Sequence, residues 1–220
     1  MFTSDSIARL QQIQKGIAEC RACPRMVGPP VHGPAVLTPI FLLGQAPGPH
    51  EGKIGKPFAY TAGRTLFRWF EESTGVDEER FRAHVYMAAV ARCFPGKGSG
   101  GGDRVPDPPE IQRCSTHLTH ELAVLRPTLL LAVGKLAISE ALGPVRFGKG
   151  LLLTEVVGRS FDVDYRGHRT EVICLPHPSG LSSWPKIEPG RSLLAEALRR
   201  IAEHPVWKAV FQLRSTEGGA

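Results

Sequence analysis

The hydrophobic positions of this chain follow two rhythms. From Ser4 to Glu19, apolar residues recur at Ile7, Leu10, Ile13 and Ile17, the three-to-four spacing of an amphipathic helix with Ser4 or Asp5 as its cap. Thr61 to Gly75 reads as a second helix that Gly75 can end. Pro108-Pro109-Glu110 opens a third that runs to about Arg126, since proline suits a first turn whose N–H groups have no partner anyway. Lys135 to Gly143 and Arg191 to His204 complete the helices. Between them lie short, nearly continuous apolar runs: PIFLLG (Pro39 to Gly44), HVYMAAVAR (His84 to Arg92), TLLLAVG (Thr128 to Gly134) and EVICL (Glu171 to Leu175). Runs of this kind read as buried strands. Leu151 to Cys174 predicts two or three strands joined through Arg166-Gly167-His168.

Strands alternating with helices predict an α/β domain of three layers, α/β/α, around a central, mainly parallel sheet of about four strands. Residues 1–212 read as one domain and 213–220 as a disordered tail. In open sheets of this class, ligands bind at the carboxyl ends of the strands. Two segments end strands with unusual chemistry: GQAPGPH after PIFLL and HPSG after VICLP.

Composition narrows the function only a little. The 220 residues are 42% hydrophobic, enough for one sizeable core. The longest apolar run, Pro127 to Val133, is far short of the ~20 residues of a membrane helix, and MFTSDSIARLQQIQKG lacks the apolar centre of a signal peptide. The expectation is a cytoplasmic protein with no membrane partner. Lys and Arg total 27 against 21 acids, a formal charge of +6, which is compatible with a polyanionic partner such as nucleic acid. A reducing compartment argues against structural disulfides, so the five cysteines need another role.

Four of them suit a metal centre. Cys20 and Cys23 form a C-x2-C pair after the first helix, and Cys93 and Cys114 bracket the glycine- and proline-rich loop FPGKGSGGGDRVPDPPEIQR. Structural zinc and an iron–sulfur cluster both fit four thiolates. The wide separation of the second pair leans toward iron–sulfur. Cysteines flanking such a loop make poor core residues, whereas Cys174, inside an apolar strand, reads as core.

CRACPR, GQAPGPHEGKIGKPFAYTAGRTLF, ARCFPG…PDPPEIQRC and LPHPSGLS, in that order from Cys20 to about Leu181, resemble the uracil-DNA glycosylase superfamily, most closely its iron–sulfur branches, families 4 and 5. The resemblance implies a DNA-repair enzyme that flips uracil out of DNA and hydrolyses its N-glycosidic bond. The products would be an abasic site and free uracil, and the enzyme a nucleoid-associated monomer acting on single- or double-stranded DNA. It also implies that Cys20, Cys23, Cys93 and Cys114 hold a structural 4Fe-4S cluster that pins the N-terminal helix and the loop. His177 falls where the family places a histidine that hydrogen-bonds uracil O2 as negative charge builds. Phe58 matches an aromatic that stacks on the flipped base. Gln45 and Ala46 would present backbone N–H groups and a polar edge to it, Ser179 would hold the DNA backbone, and Leu181 would wedge into the gap left in the duplex.

The sequence also departs from the family. A glutamate of family 4 is replaced by Gln45, and a water-activating aspartate of family 1 by Ala46. Glutamine cannot act as a base. Ala88 and Ala89 fill the strand from which an asparagine often reads uracil, a feature that also allows other deaminated bases. His50 and Glu51 are the nearest ionisable replacements, and His50 is the candidate for positioning water. The loop KGSGGGDR has no histidine, unlike the KRRIH loop of the branch that traps DNA covalently, so ordinary turnover is expected. Two other classes remain in view: a non-enzymatic iron–sulfur DNA-binding protein, and a zinc-stabilised nucleotide hydrolase, although GSGGGD is not a phosphate-binding loop pattern.

Overall fold

A computed structural model describes residues 2–143, 150–180 and 182–211. Strands β1 (Ile40–Gly44), β2 (Tyr86–Ala89), β3 (Leu129–Val133), β4 (Ser160–Tyr165) and β5 (His168–Leu175) form one sheet in the order β2-β1-β3-β5-β4. All pairings are parallel except β4 with β5. Every residue of β1 and β3 is buried, as central strands covered by helices on both faces must be. The edge strand β4 instead alternates exposed and half-buried positions up to its buried last residue, Tyr165, its Asp162 and Asp164 discouraging further strand pairing.

The helices are α1 (Ser4–Ala18), α2 (Glu51–Ile54), α3 (Thr61–Thr74), α4 (Glu78–His84), α5 (Pro108–Leu125), α6 (Lys135–Leu142), α7 (Leu153–Val156), α8 (Gly190–Glu203) and α9 (Pro205–Phe211). Helix α1 packs on α5, and α3 on α8. The layers are those expected, but the described sheet has five strands where about four were expected. The fifth, β4, pairs with β5 through a hairpin in which Arg166 (φ 53) and Gly167 (φ 80) both adopt left-handed backbone, the tight turn that matches strand twist.

Other boundaries move for local reasons. Leu153–Val156 is a helical turn rather than a strand. The expected strand from His84 to Arg92 is shorter. His84 ends α4, whose N-terminus is capped by Asp77 accepting from Arg80 N at 2.8 Å. At the other end Val90 and Ala91 leave β2 to donate to the carbonyls of Gly44 (2.9 Å) and Gln45 (3.0 Å). The short helix α9 was not foreseen. It buries Trp207 and Phe211 against α3 and α4, with Trp207 stacked on Phe70 at 5.4 Å, a contact that only the tertiary fold creates. The predicted tail at 213–220 lies outside the described residues.

Candidate active site and cysteine cavity

The carboxyl ends of β1, β2 and β5 meet in one cleft. It encloses about 130 Å³ and is lined by Gln45, Ala46, His50, Glu51, Phe58, Ala88, Ala89, Asp103 and His177, among others. Sites for drug-sized ligands begin near ~300 Å³, so this one suits a smaller group. Six sequence candidates (Gln45, Ala46, His50, Phe58, Ala89 and His177) therefore come together. Ser179 sits just past His177 in the turn, outside this lining, and Leu181 lies outside the described residues.

Phe58 is held by main chain more than by packing. Its φ of 52 is left-handed, uncommon for a bulky residue and found where surrounding structure enforces it. Arg82 enforces it, donating from Nη1 to the Pro57 carbonyl (2.9 Å) and from Nη2 to that of Phe58 (3.0 Å). Two glycines make room. A Cβ on Gly44 would lie 2.9 Å from the tip of the Phe58 ring, and one on Gly63 only 1.7 Å from the Phe58 carbonyl oxygen. The ring is thus seated over the end of β1 as a fixed wall of the cleft.

His177 follows β5 after one proline. The ring packs over the Cα of Gly134 (φ 86), where a Cβ would stand 3.3 Å from Cδ2, so the turn after β3 must be glycine. The residue is open to solvent along the cleft. Even so, the protein around it withdraws enough water to hold its pKa below the ordinary histidine value, and only the charge of Asp103 opposes this. At neutral pH the imidazole is uncharged and retains one N–H to donate.

The two ionisable residues after the first motif have separate duties. His50 is exposed and packs against Tyr60, with ring centroids 4.1 Å apart and the rings tilted by 32°. Glu51 is buried at 9% exposure. Its carboxylate accepts from the N–H of Gly48 and, at 3.1 Å, from that of Ala59, tying the GQAPG turn to the Phe58 loop. Burial raises its pKa against those donors and Arg82. Gln45 is fixed through its carbonyl by Ala91 N–H at 3.0 Å. Because a trans peptide sets C=O and N–H on opposite sides, the Ala46 N–H faces away from Ala91.

The glycine-rich loop has a structure of its own. Lys97 and Asp103 pair as an antiparallel bridge, Gly98 N donates to the Gly102 carbonyl at 2.8 Å, and Arg104 N to that of Gly96 at 2.9 Å. This small hairpin turns Asp103 into the cleft, while Lys97 Nζ holds Oδ1 at 2.7 Å. Its base is fixed by Arg104, which makes a two-pronged ion pair with Glu110 at 2.7 and 2.8 Å. That pair, with the adjoining capping box, holds Glu110 down at about 2. Arg25 reaches Asp107 at 3.0 Å and joins the N-terminal segment to the same corner. Asp103 is the residue that motif reading missed. The available signal was its being the one carboxylate between Cys93 and Asp107.

Behind this hairpin, Cys20, Cys23, Cys93 and Cys114 line a second cavity of about 230 Å³. Burial, with the other three thiols adding to it, pushes Cys93 up to about 11. Among the described residues, no group of three or more His, Cys, Asp or Glu is placed to hold a single metal ion. The thiols surround a volume instead of closing on a point. Cys174 is fully buried in β5, its thiol pushed up to about 12 by burial alone, as a core residue should be.

Comparison with known proteins agrees with this architecture. The family described as the uracil DNA glycosylase superfamily matches residues 30–202. The type-4 uracil-DNA glycosylase of Thermotoga maritima is 30% identical, the match covering 82% of this chain and 86% of that one. That of Sulfurisphaera tokodaii is 26% identical, covering 88% and 84%, and that of Archaeoglobus fulgidus 27%, covering 81% and 85%. The chain belongs to the uracil-DNA glycosylase superfamily.

Proposed function

We propose that this protein is a DNA-repair glycosylase that draws a uracil nucleotide out of DNA and hydrolyses its N-glycosidic bond, leaving an abasic site and free uracil. The observation that carries this reading is the pairing of Phe58 and His177 across a cleft sized for one pyrimidine. The base stacks on Phe58 after leaving the helix. As the C1′–N1 bond breaks, its electron pair passes into the ring and charge gathers on uracil O2, where the neutral His177 N–H donates. A fixed donor aimed at developing charge is the largest single source of rate in sites of this type. Gln45 supplies an amide edge to read the base, and Ala46 a backbone N–H.

Water must then reach C1′. Neither Gln45 nor Ala46 can take a proton, and Glu51 already spends both oxygens on backbone donors. His50 remains a candidate from its place on the cleft wall. Asp103 is the better placed of the two. It faces His177 electrostatically, and its Oδ2 would lie 3.8 Å from a Cβ on Gly48. As a carboxylate it can orient the water and steady positive charge on the sugar. Ser179 and Leu181 would grip the backbone and hold the duplex stack open.

The four thiols suit a 4Fe-4S cluster better than a zinc ion, because they ring a cavity instead of converging. Bound there, it would tie the segment after α1 to both ends of the loop that carries Asp103. The enzyme is read as one domain over residues 1–212 acting as a monomer on single- or double-stranded DNA, in the cytoplasm and associated with the nucleoid. Among the described residues no helix is long and apolar enough to cross a membrane. Because Ala88 and Ala89 give one wall of the cleft no polar side chain, a second reading extends the substrates to other deaminated bases.

Release of free base from oligonucleotides carrying uracil, hypoxanthine or xanthine, with thymine and cytosine as controls, tests both readings. Uracil release is expected. A homogeneous preparation that binds the uracil oligonucleotide but releases no base would overturn the enzyme reading in favour of a DNA-binding protein.

A further inference from the structure

Arg92 is among the most deeply buried charges of the described residues, at 2% exposure, and it lines the cysteine cavity. Its Nη2 is paired with Glu121, which is fully buried and also accepts from the Tyr86 hydroxyl at 2.6 Å. Gln14 of α1 closes the network by donating to the Tyr86 oxygen at 3.2 Å and to the Gly33 carbonyl at 3.1 Å. Glu121 is therefore satisfied. Arg92 is not: Nε and Nη1 are buried with no partner. Buried donors without acceptors cost on the order of 1–3 kcal/mol each, so their presence calls for an occupant.

The surroundings say which. Arg92 lines the cysteine cavity, its own N–H donates to Cys114 Sγ at 3.3 Å, and the next residue is Cys93. The cavity's other arginines, Arg21 and Arg113, are exposed, and Arg21 is occupied by the carbonyls of Ala18 and Cys20. A group held by four thiolates is anionic and rich in sulfur acceptors. Net charge and hydrogen bonds to sulfur are among the determinants of the reduction potential of such clusters.

We propose that Arg92 is a positioning residue for the iron–sulfur cluster: braced from behind by Glu121, it offers Nε and Nη1 to the cluster's sulfurs, and so sets its reduction potential and its resistance to loss. This rests on the cluster assignment made above. The same stretch of chain reaches the cleft, since Ala91 N–H holds the Gln45 carbonyl and the Arg92 carbonyl accepts from Val31 at 2.7 Å. Loss of the cluster would thus be felt one residue away from the base-reading turn.

The test compares wild type, Arg92→Met and Arg92→Lys as purified cluster-loaded proteins. Reduction potential is measured by spectroelectrochemistry, and loss of the absorbance near 400 nm is followed in excess iron chelator. Removing the cation should shift the one-electron equilibrium about tenfold against reduction, a drop of about 59 mV, and speed bleaching about tenfold. Where Arg92→Met does not fold, because Glu121 is left as an unpaired buried anion, Arg92→Lys carries the test. It keeps the charge but loses the fork of donors, and should bleach about threefold faster. Variants that match wild type in both potential and bleaching overturn the proposal and leave Arg92 a partner of Glu121 alone. A wild-type protein that is colourless and free of iron fails differently, by removing the cluster reading on which this one stands.

Discussion

The cleft at the strand ends and the cavity behind it lie on either side of one chain segment, Ala88 to Cys93, yet they are held in different ways. The cleft is walled by backbone that the sheet already fixes: the Gly44 and Gln45 carbonyls bound by Val90 and Ala91, Phe58 clamped by Arg82, and His177 seated on Gly134. The cysteine cavity is walled mostly by irregular chain, with two cysteines after α1, one after β2 and one on α5. It contains four half-buried thiols and a buried cation with free donors. One site is built by the fold alone, and the other has the features of a site assembled together with a bound group. A catalytic cleft gains from being rigid before substrate arrives, whereas a cofactor cavity can leave part of its own assembly to the cofactor.

That contrast is most easily broken at His177. If the cleft is built by the sheet and His177 acts only on developing charge, His177→Ala should fold, melt near the wild-type temperature and bind uracil-containing DNA. It should cleave about 100- to 1000-fold more slowly in single turnover. A wild-type rate would remove His177 from the chemistry. The cavity should behave the other way round. Cys114→Ser takes away a ligand and is expected to lower Tm by about 10 °C and bleach the protein, as loss of several kcal/mol of metal-coupled folding energy implies. A colourless Cys114→Ser that melts with wild type would mean that the cavity, too, is complete without its occupant. Cys174→Ser, in the core away from both sites, should keep full colour.

Asp103 connects the two regions, since the chain between two cavity cysteines carries it into the cleft. Asp103→Asn keeps the size of the side chain and removes its charge, so folding should be unchanged while single-turnover rate falls about tenfold. His50→Ala is its comparison. A larger loss there would transfer the water-orienting role to His50 and leave Asp103 as a partner of Lys97.

Much of the cleft could be read from sequence because its parts are short motifs fixed to strand ends. GQAPG and HPSG follow recognisable apolar runs at once or after one proline, and GKPF lies ten residues beyond the first. The four cysteines were legible for a similar reason, since their residue type restricts what they can do. What escaped was whatever depends on distant partners. The left-handed Phe58 is imposed by Arg82, which sits on a helix that periodicity did not reveal. The hairpin at Gly96–Arg104 looks structureless in sequence because glycines carry no side-chain pattern, yet backbone bonds and the Arg104–Glu110 pair order it. Arg92 reads as a polar residue at the end of a strand, and only the fold shows that its partner is Glu121, a helix away.

The smallest effect tests whether the hairpin brings Asp103 to His177 in solution. The protein around the ring withdraws water and holds the His177 pKa below the ordinary value of ~6.5, and Asp103 pulls it back up. In the unfolded chain this histidine gains its proton near the ordinary value; in the folded protein it does so only at lower pH. The unfolded state then binds more protons in that interval, so stability from His177 is fully present above ~6.5 and falls as pH drops through the folded pKa. The Tm difference between wild type and His177→Gln should therefore shrink or change sign toward acid relative to its value at pH 8. Removing Asp103 removes a charge that raises this pKa. In an Asp103→Asn background, the acid loss attributable to His177 should begin at the same pH and run deeper. An identical acid slope with and without Asp103 would place its carboxylate away from His177, and would take the water-orienting role from it.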